Sequence, residues 1–211
     1  MMQFSNKRET DVHKVPAISI SKALFALPLT ALLLVGCGTK ATSDTFDLSV
    51  TPSAQGPSAK NRQILVPEPS ALKSLDSEQV LVRVSPSEFQ YLADSRWGDR
   101  LPRMVQAKLV QAFENTGKLG GVGKPGQGLA IDYQVVTEIR SFEIDTSGPR
   151  VARVEISAKI LNDRNGSVRA QSVFSASVPV SGEGNTKFIA AINRAFAKVG
   201  AEIVDWTLRS I

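Results

Sequence analysis

The chain has 211 residues, of which 42% are hydrophobic, 21% charged and 6% aromatic. This composition fits one ordinary globular domain with room for a tail, and excludes collagen-like, globally disordered and large multi-domain proteins. The balance of 25 basic to 20 acidic residues is mild, and a single Cys and a single His leave little material for metal or nucleophilic chemistry.

Residues 1–22 are polar and basic, with Lys7, Arg8, Lys14 and Lys22, and the apolar run Ala23–Val35 follows them. That run falls short of the roughly 20 apolar residues that span a bilayer but suits the centre of a secretory signal. Leu34-Val35-Gly36-Cys37 then resembles the lipobox of bacterial lipoproteins. The resemblance implies cleavage between Gly36 and Cys37, diacylglycerol on the Cys37 thiol, and acylation of the new amine. One acyl chain binds membranes reversibly, whereas two or more anchor stably. Gly38 at the next position leans toward the outer membrane, on its periplasmic face. The expected organisation is a signal peptide at 1–36, an acylated tether at 37–45 and a folded domain at 46–211.

Loss of residues 1–36 removes four basic residues, two acidic ones and His13, leaving 21 basic against 18 acidic, a formal +3. The mature chain then has no His, and its one Cys carries lipid. Internal disulfides, His/Cys metal sites, Ser-His-Asp triads and Cys-His dyads are thereby excluded. So small a net charge is no nucleic-acid footprint. The expectation is a protein with no catalytic residue, no metal, no cofactor and no nucleic-acid partner.

Alternation predicts a short strand at Phe46–Val50, a Pro/Gly/Ser loop at 51–63, a strand at Ile64–Val66 and another at Gln79–Val84. Trp97, Leu101, Val105, Leu109 and Phe113 recur every four residues and predict a helix over 97–116. Ser95 or Asp99 would cap it, Pro102 would fit its first turn, and Gly117 would close it. The glycine-rich stretch 117–128 reads as a flexible connection. Three strands follow. Leu129, Ile131, Tyr133, Val135 and Ile139 share the inner face of the first, and Val154, Ile156, Ala158 and Ile160 that of the second. Asn165-Gly166 marks a hairpin, and Val168, Ala170, Phe174, Ala176 and Val178 face inward on the third strand. A final helix at about 185–208 presents Phe188, Ile192, Phe196, Val199, Ile203 and Trp206 on one stripe. The fold class is α+β, a two-layer domain with an antiparallel sheet packed against two amphipathic helices.

Several motifs invite chemistry and lack its context. Gly121-Val-Gly123-Lys-Pro-Gly126 fits a dinucleotide fingerprint, but follows a helix instead of opening one. Ser70-Ala-Leu-Lys73 fits S-x-x-K without the partner motifs of penicillin-binding enzymes, and reads as surface. Glu143 and Asp145 read as solvated strand-end charges. The densest unusual stretch, Tyr91 to Pro102, holds two aromatics, two arginines and two aspartates. Because Tyr, Trp and Arg dominate binding hot spots, Tyr91, Arg96, Trp97 and Arg100 are the candidate partner contacts; the alternative is that Trp97 begins the core stripe.

Tyr91…Arg96-Trp97…Leu101-Pro102 and the helix ending Phe113-Glu114-Asn115-Thr116-Gly117 resemble the ABC-type transport auxiliary lipoprotein family. Phe46-Asp47-Leu48, Val66-Pro67-Glu68-Pro69, Ile139…Phe142, the Phe174 strand and Val204-Asp205-Trp206 add to the resemblance. It implies an envelope lipoprotein, not itself an enzyme, that serves an ABC permease, its ATPase and an MCE-domain protein in moving lipid between membranes. It also implies a docking role toward the MCE assembly, with a homo-oligomeric ring as one form. Two other classes stay open beside it: a structural lipoprotein regulating cell-wall enzymes, and a periplasmic lipid-binding carrier with a large apolar cavity.

Overall fold

A computed structural model describes residues 43–211. The expectations for the signal peptide, for Gly36 and Cys37, and for the tether up to residue 42 lie outside the described residues. In chain order the elements are β1 (Asp44–Phe46), β2 (Ala59–Leu65), β3 (Ser70–Ala71), β4 (Gln79–Ser85), β5 (Glu88–Trp97), α1 (Leu101–Thr116), β6 (Leu119–Gly123), β7 (Tyr133–Asp145), β8 (Val151–Asn162), β9 (Val168–Pro179) and α2 (Asn185–Ser210).

The class is α+β, a sheet covered by two helices, but the sheet is mixed where a purely antiparallel one is expected. Its backbone is the thirteen-residue β7. One edge of β7 takes β8 antiparallel, and β9 continues the meander. The other edge is shared in succession by β2 at Tyr133, β3 at Glu138 and β4 at Glu143, all parallel to it. Beyond them β6 runs parallel to β2, β5 antiparallel to β4, and β1 parallel to β5. A single long strand can therefore seat three short ones, which no local periodicity announces.

β7 carries a bulge. Ile139 pairs Ile156 but Ser141 pairs Glu155, so Arg140 is one residue too many. Side chains alternate with period two, so one inserted residue exchanges the faces. The core face is Tyr133, Val135, Thr137 and Ile139 before the bulge, then Phe142 and Ile144 after it. A second bulge in β9, between the Ile160–Ala170 and Leu161–Val168 pairs, turns Val168 outward. The expectation that Val168 faces inward is thus corrected: it is half exposed.

α1 begins at Leu101, and Pro102 sits in its first turn, where its missing N–H costs nothing. No side chain caps it; the Asp99 carboxylate instead accepts the Arg100 N–H at 2.7 Å. Gly117 closes the helix in the left-handed region at φ 60°. α2 supplies the longer stripe, with Ile192, Phe196, Val199 and Ile203 all buried. An aromatic run ties the layers: Trp97 meets Phe142 edge-on at 6.0 Å, and Phe142 meets Phe196 at 5.8 Å. Each such burial contributes about 1.5–3 kcal/mol against chain entropy. The glycine-rich stretch is not simply a connector, since Leu119–Gly123 is strand β6. Likewise the predicted first strand at 46–50 is shorter and earlier, at Asp44–Phe46, while Leu48 is still fully buried.

Candidate functional site: the braced β4–β5 arm

The most unusual local structure is the hairpin of β4 and β5. Its tight turn is Pro86-Ser87, with Ser85 opposite Glu88. From Glu88 to Asp94 only Leu92 is even half-buried, so this half of β5 stands clear of the core. On one face of it Phe89 and Tyr91 pack edge-on at 5.8 Å, and they remain 44% and 38% exposed. Both aromatics keep more than a third of their surface in solvent while packing on each other.

The arm is fixed at three places. Arg83 on β4 makes a bidentate pair with Glu143 on β7, with Nε at 2.7 Å from Oε1 and Nη2 at 3.0 Å from Oε2. The hydrogen bond to Glu143 holds the Arg83 guanidinium above its ordinary pKa. Near the base, β5 takes five residues from Tyr91 to Arg96 while β4 takes two from Leu81 to Gln79. The excess is absorbed at Asp94, in the left-handed region at φ 52°. The amide of Asn185, the first residue of α2, clamps that irregularity by donating to Ala93 O at 3.0 Å and Ser95 Oγ at 2.7 Å. Finally Arg100 bridges Asp76 at 2.5 Å and Glu68 at 3.0 Å. Its hydrogen bond to Asp76 raises its pKa further.

Of the four residues singled out in the sequence, Tyr91 lies on the exposed arm. Arg96 is exposed at its base, with Nε donating to Thr45 Oγ1 at 3.2 Å. Arg100 is a brace. Trp97 is corrected as a contact residue: it ends β5 instead of starting α1, and at 1% exposure it belongs to the core. Phe89 and Arg83 were missed, although Phe89 lies one strand period from Tyr91. Glu143 and Asp145 are also corrected. They are buried, because the bulge at Arg140 turns them onto the side of the sheet where Arg83 and Arg153 meet them. Asp145 accepts from Ser147 Oγ at 2.6 Å and Ser147 N at 3.0 Å and pairs with Arg153 at 3.1 Å, which together hold its carboxyl below the usual range. Both carboxylates are thus occupied as structural acceptors. Ser70 is exposed on β3 opposite Glu138, and Lys73 is exposed in the following turn. Gly121 and Gly123 lie in β6, after α1, and open no helix.

Fold and arm together define a small α+β module that displays a braced aromatic hairpin. Residues 46–204 match the profile of the ABC-type transport auxiliary lipoprotein component, and the chain belongs to that family. A curated relative, the uncharacterized protein bll6063 of Bradyrhizobium diazoefficiens, is 31% identical over 180 residues. The match covers 84% of this chain and 48% of the relative, so the chain spans about half the length of the curated relative it matches. The crystal structure of protein XCC0632 from Xanthomonas campestris is similar at TM-score 0.71 and 30% identity, over 79% of this chain and 94% of that one. Hypothetical protein CT253 from Chlamydia trachomatis shares the fold at TM-score 0.50 and 11% identity, over 74% and 98%. The family is one of transport auxiliaries and is not a known enzyme family. Among the described residues no helix is long and apolar enough to cross a membrane.

Proposed function

We propose that this protein is a non-enzymatic, lipid-anchored envelope component that docks the periplasmic MCE assembly of an ABC-type lipid transporter. The anchor is Cys37, with diacylglycerol on its thiol, cleavage between Gly36 and Cys37 and acylation of the new amine, and the membrane is the outer one. The contact is the β4–β5 arm, with Phe89 and Tyr91 as the apolar anchors and Arg96 at their polar margin. The observation that carries the reading is the arm itself: two adjacent aromatics partly exposed to solvent on a hairpin braced by the Arg83–Glu143 pair near its turn and by the Asn185 amide and the Arg100 ion pairs near its base. Rigid presentation lowers the ordering cost of association, and a few central aromatics commonly supply most of the binding energy.

The test is affinity purification of the tagged full-length chain from gently solubilised membranes. The wild type retains the MCE-domain protein, with or without permease and ATPase. Phe89→Ala/Tyr91→Ala loses it while keeping the wild-type melting temperature, because neither side chain is in the core. Retention of cell-wall enzymes with no MCE protein would overturn the reading.

A further inference from the structure

We infer that the chain's own tether, residues 37–43, continues β1 along the open edge of the β4–β5 arm and so sets Cys37 beside the arm's turn. The inference rests on the proposed acylation of Cys37 and adds where that anchor is held. β4 takes one edge of β5, from Gln79 opposite Arg96 to Ser85 opposite Glu88. β1 takes the other edge, but only at Ser95–Trp97. From Glu88 to Asp94 this second edge has no strand partner among the described residues, and every residue there except Leu92 is exposed. Unpaired strand edges are a liability that folded proteins ordinarily cover or blunt with charge, and Phe89–Ala93 carries no charge.

The direction and length of the tether name it as the cover. β1 runs parallel to β5, with Asp44 opposite Ser95, so the chain before Asp44 heads along the bare edge toward Pro86-Ser87. A parallel ladder advances both strands equally. Seven positions before Asp44 is Cys37, and seven before Ser95 is Glu88, the first residue of β5. The tether therefore matches the bare edge in length, and its acylated end falls at the turn.

Its composition agrees. Residues 37–43 contain no proline, so every position can donate to a ladder, and Thr39 and Thr42 favour extended backbone. The only charge among them is Lys40, facing an edge whose charges, Glu88 and Asp94, are both acidic. Covalent attachment through β1 also gives the tether an effective concentration that a free strand lacks. Edge pairing uses the backbone and leaves the rings of Phe89 and Tyr91 available on the face of the arm. A tether splinted in this way holds the arm's turn at the membrane surface instead of letting the domain swing on a loose leash.

The test uses the full-length chain in its native envelope. Gln90→Cys, exposed on the arm, is combined in turn with Thr39→Cys, Lys40→Cys and Ala41→Cys. Regular register sets Thr39 opposite Gln90, and the flanking positions allow for the left-handed kink at Asp94. Neighbouring strands lie about 4.8 Å apart, within disulfide reach. The expected result is an intrachain disulfide to Gln90→Cys, identified by mass spectrometry of the linked peptides, and none when Glu202→Cys on α2 replaces Gln90→Cys. Hydrogen exchange gives a second reading: amides within Glu88–Asp94 exchange slowly in the wild type. Lys40→Pro/Ala41→Pro, which removes two consecutive tether donors, restores fast exchange there with the melting temperature unchanged. No link to Gln90→Cys from any of the three positions, or fast exchange along this edge in the wild type, would overturn the inference. The mass of the N-terminal peptide reports acylation separately. A cleaved, acylated chain whose tether does not link sinks the splint and leaves the anchor; a linked tether on an unacylated Cys37 leaves the ladder and removes the anchor.

Discussion

Arg83 and Glu143 look like a symmetric pair, but they sit in different media. Glu143 is 2% exposed and Arg83 31%. A carboxylate stripped of its partner in the interior has no access to water, whereas a freed guanidinium on a long stem can turn outward. Arg83→Ala should therefore cost more, about 3–5 kcal/mol, and Glu143→Ala about 1–3 kcal/mol, as read by chemical denaturation. Equal losses would contradict the assigned geometry. Asp145 gives a pH signature. Its native carboxyl is held below the unfolded value by Ser147 and Arg153. Its contribution is thus present above the ordinary Asp range near about 4 and is lost as pH falls through the depressed native value. Asp145→Ala should lower the melting temperature at neutral pH, with the deficit shrinking toward about pH 2; a deficit that holds constant in acid would exclude the carboxylate as its source. None of this is legible in the sequence. Glu143 and Asp145 look like strand-end charges until the extra residue at Arg140 changes their face.

At the scale of elements, the sequence is most readable where one face is buried. β8, most of β9 and α2 each keep a regular apolar period against the core; their predicted inner residues are buried, or partly buried at Ala170, Ala176, Phe188 and Trp206, and Val168 alone is exposed. β5 is unreadable for the opposite reason: over Glu88–Asp94 neither face is buried, so no period-two signal exists, and Trp97 happens to fall at helical spacing from Leu101. β6 is hidden by its glycines. A Cβ on Gly120 would lie 2.5 Å from the Lys60 carbonyl oxygen, so glycine marks a close strand approach here where it suggests a loop. Gly200 in α2 repeats the lesson. In an open helix Gly→Ala stabilises by about 1 kcal/mol. A Cβ at Gly200, however, would come within 2.9 Å of Pro52 Cβ, where the 51–58 segment crosses α2. Gly200→Ala should therefore lower the melting temperature, and Pro52→Ala in the same chain should recover part of the loss. A stabilised Gly200→Ala would mean that the segment does not rest on the helix.

For the whole molecule, the anchor and the arm make separable claims. Cys37→Ala should leave an unlipidated, uncleaved precursor and abolish function, read by the size of the chain on a gel. Phe89→Ala/Tyr91→Ala should remain membrane-bound yet lose its partner. A Cys37→Ala chain that stays membrane-bound and fully functional would remove the anchor from the account without touching the arm. The family was legible from scattered aromatic and turn positions because these are the residues at which the fold turns or packs: Trp97 and Phe142 in the core, Pro102 and Gly117 at the ends of α1. The side chains that face solvent on the arm left a fainter trace, Tyr91 alone. The central claim is that this arm meets the MCE assembly. Its most direct measurement is photo-crosslinking in living cells from a reactive group placed at Tyr91, with Glu202 on the exposed side of α2 as control. The account predicts a covalent product with the MCE-domain protein from position 91 and none from position 202. The reverse pattern, or products from neither position while the complex still co-purifies, would contradict it.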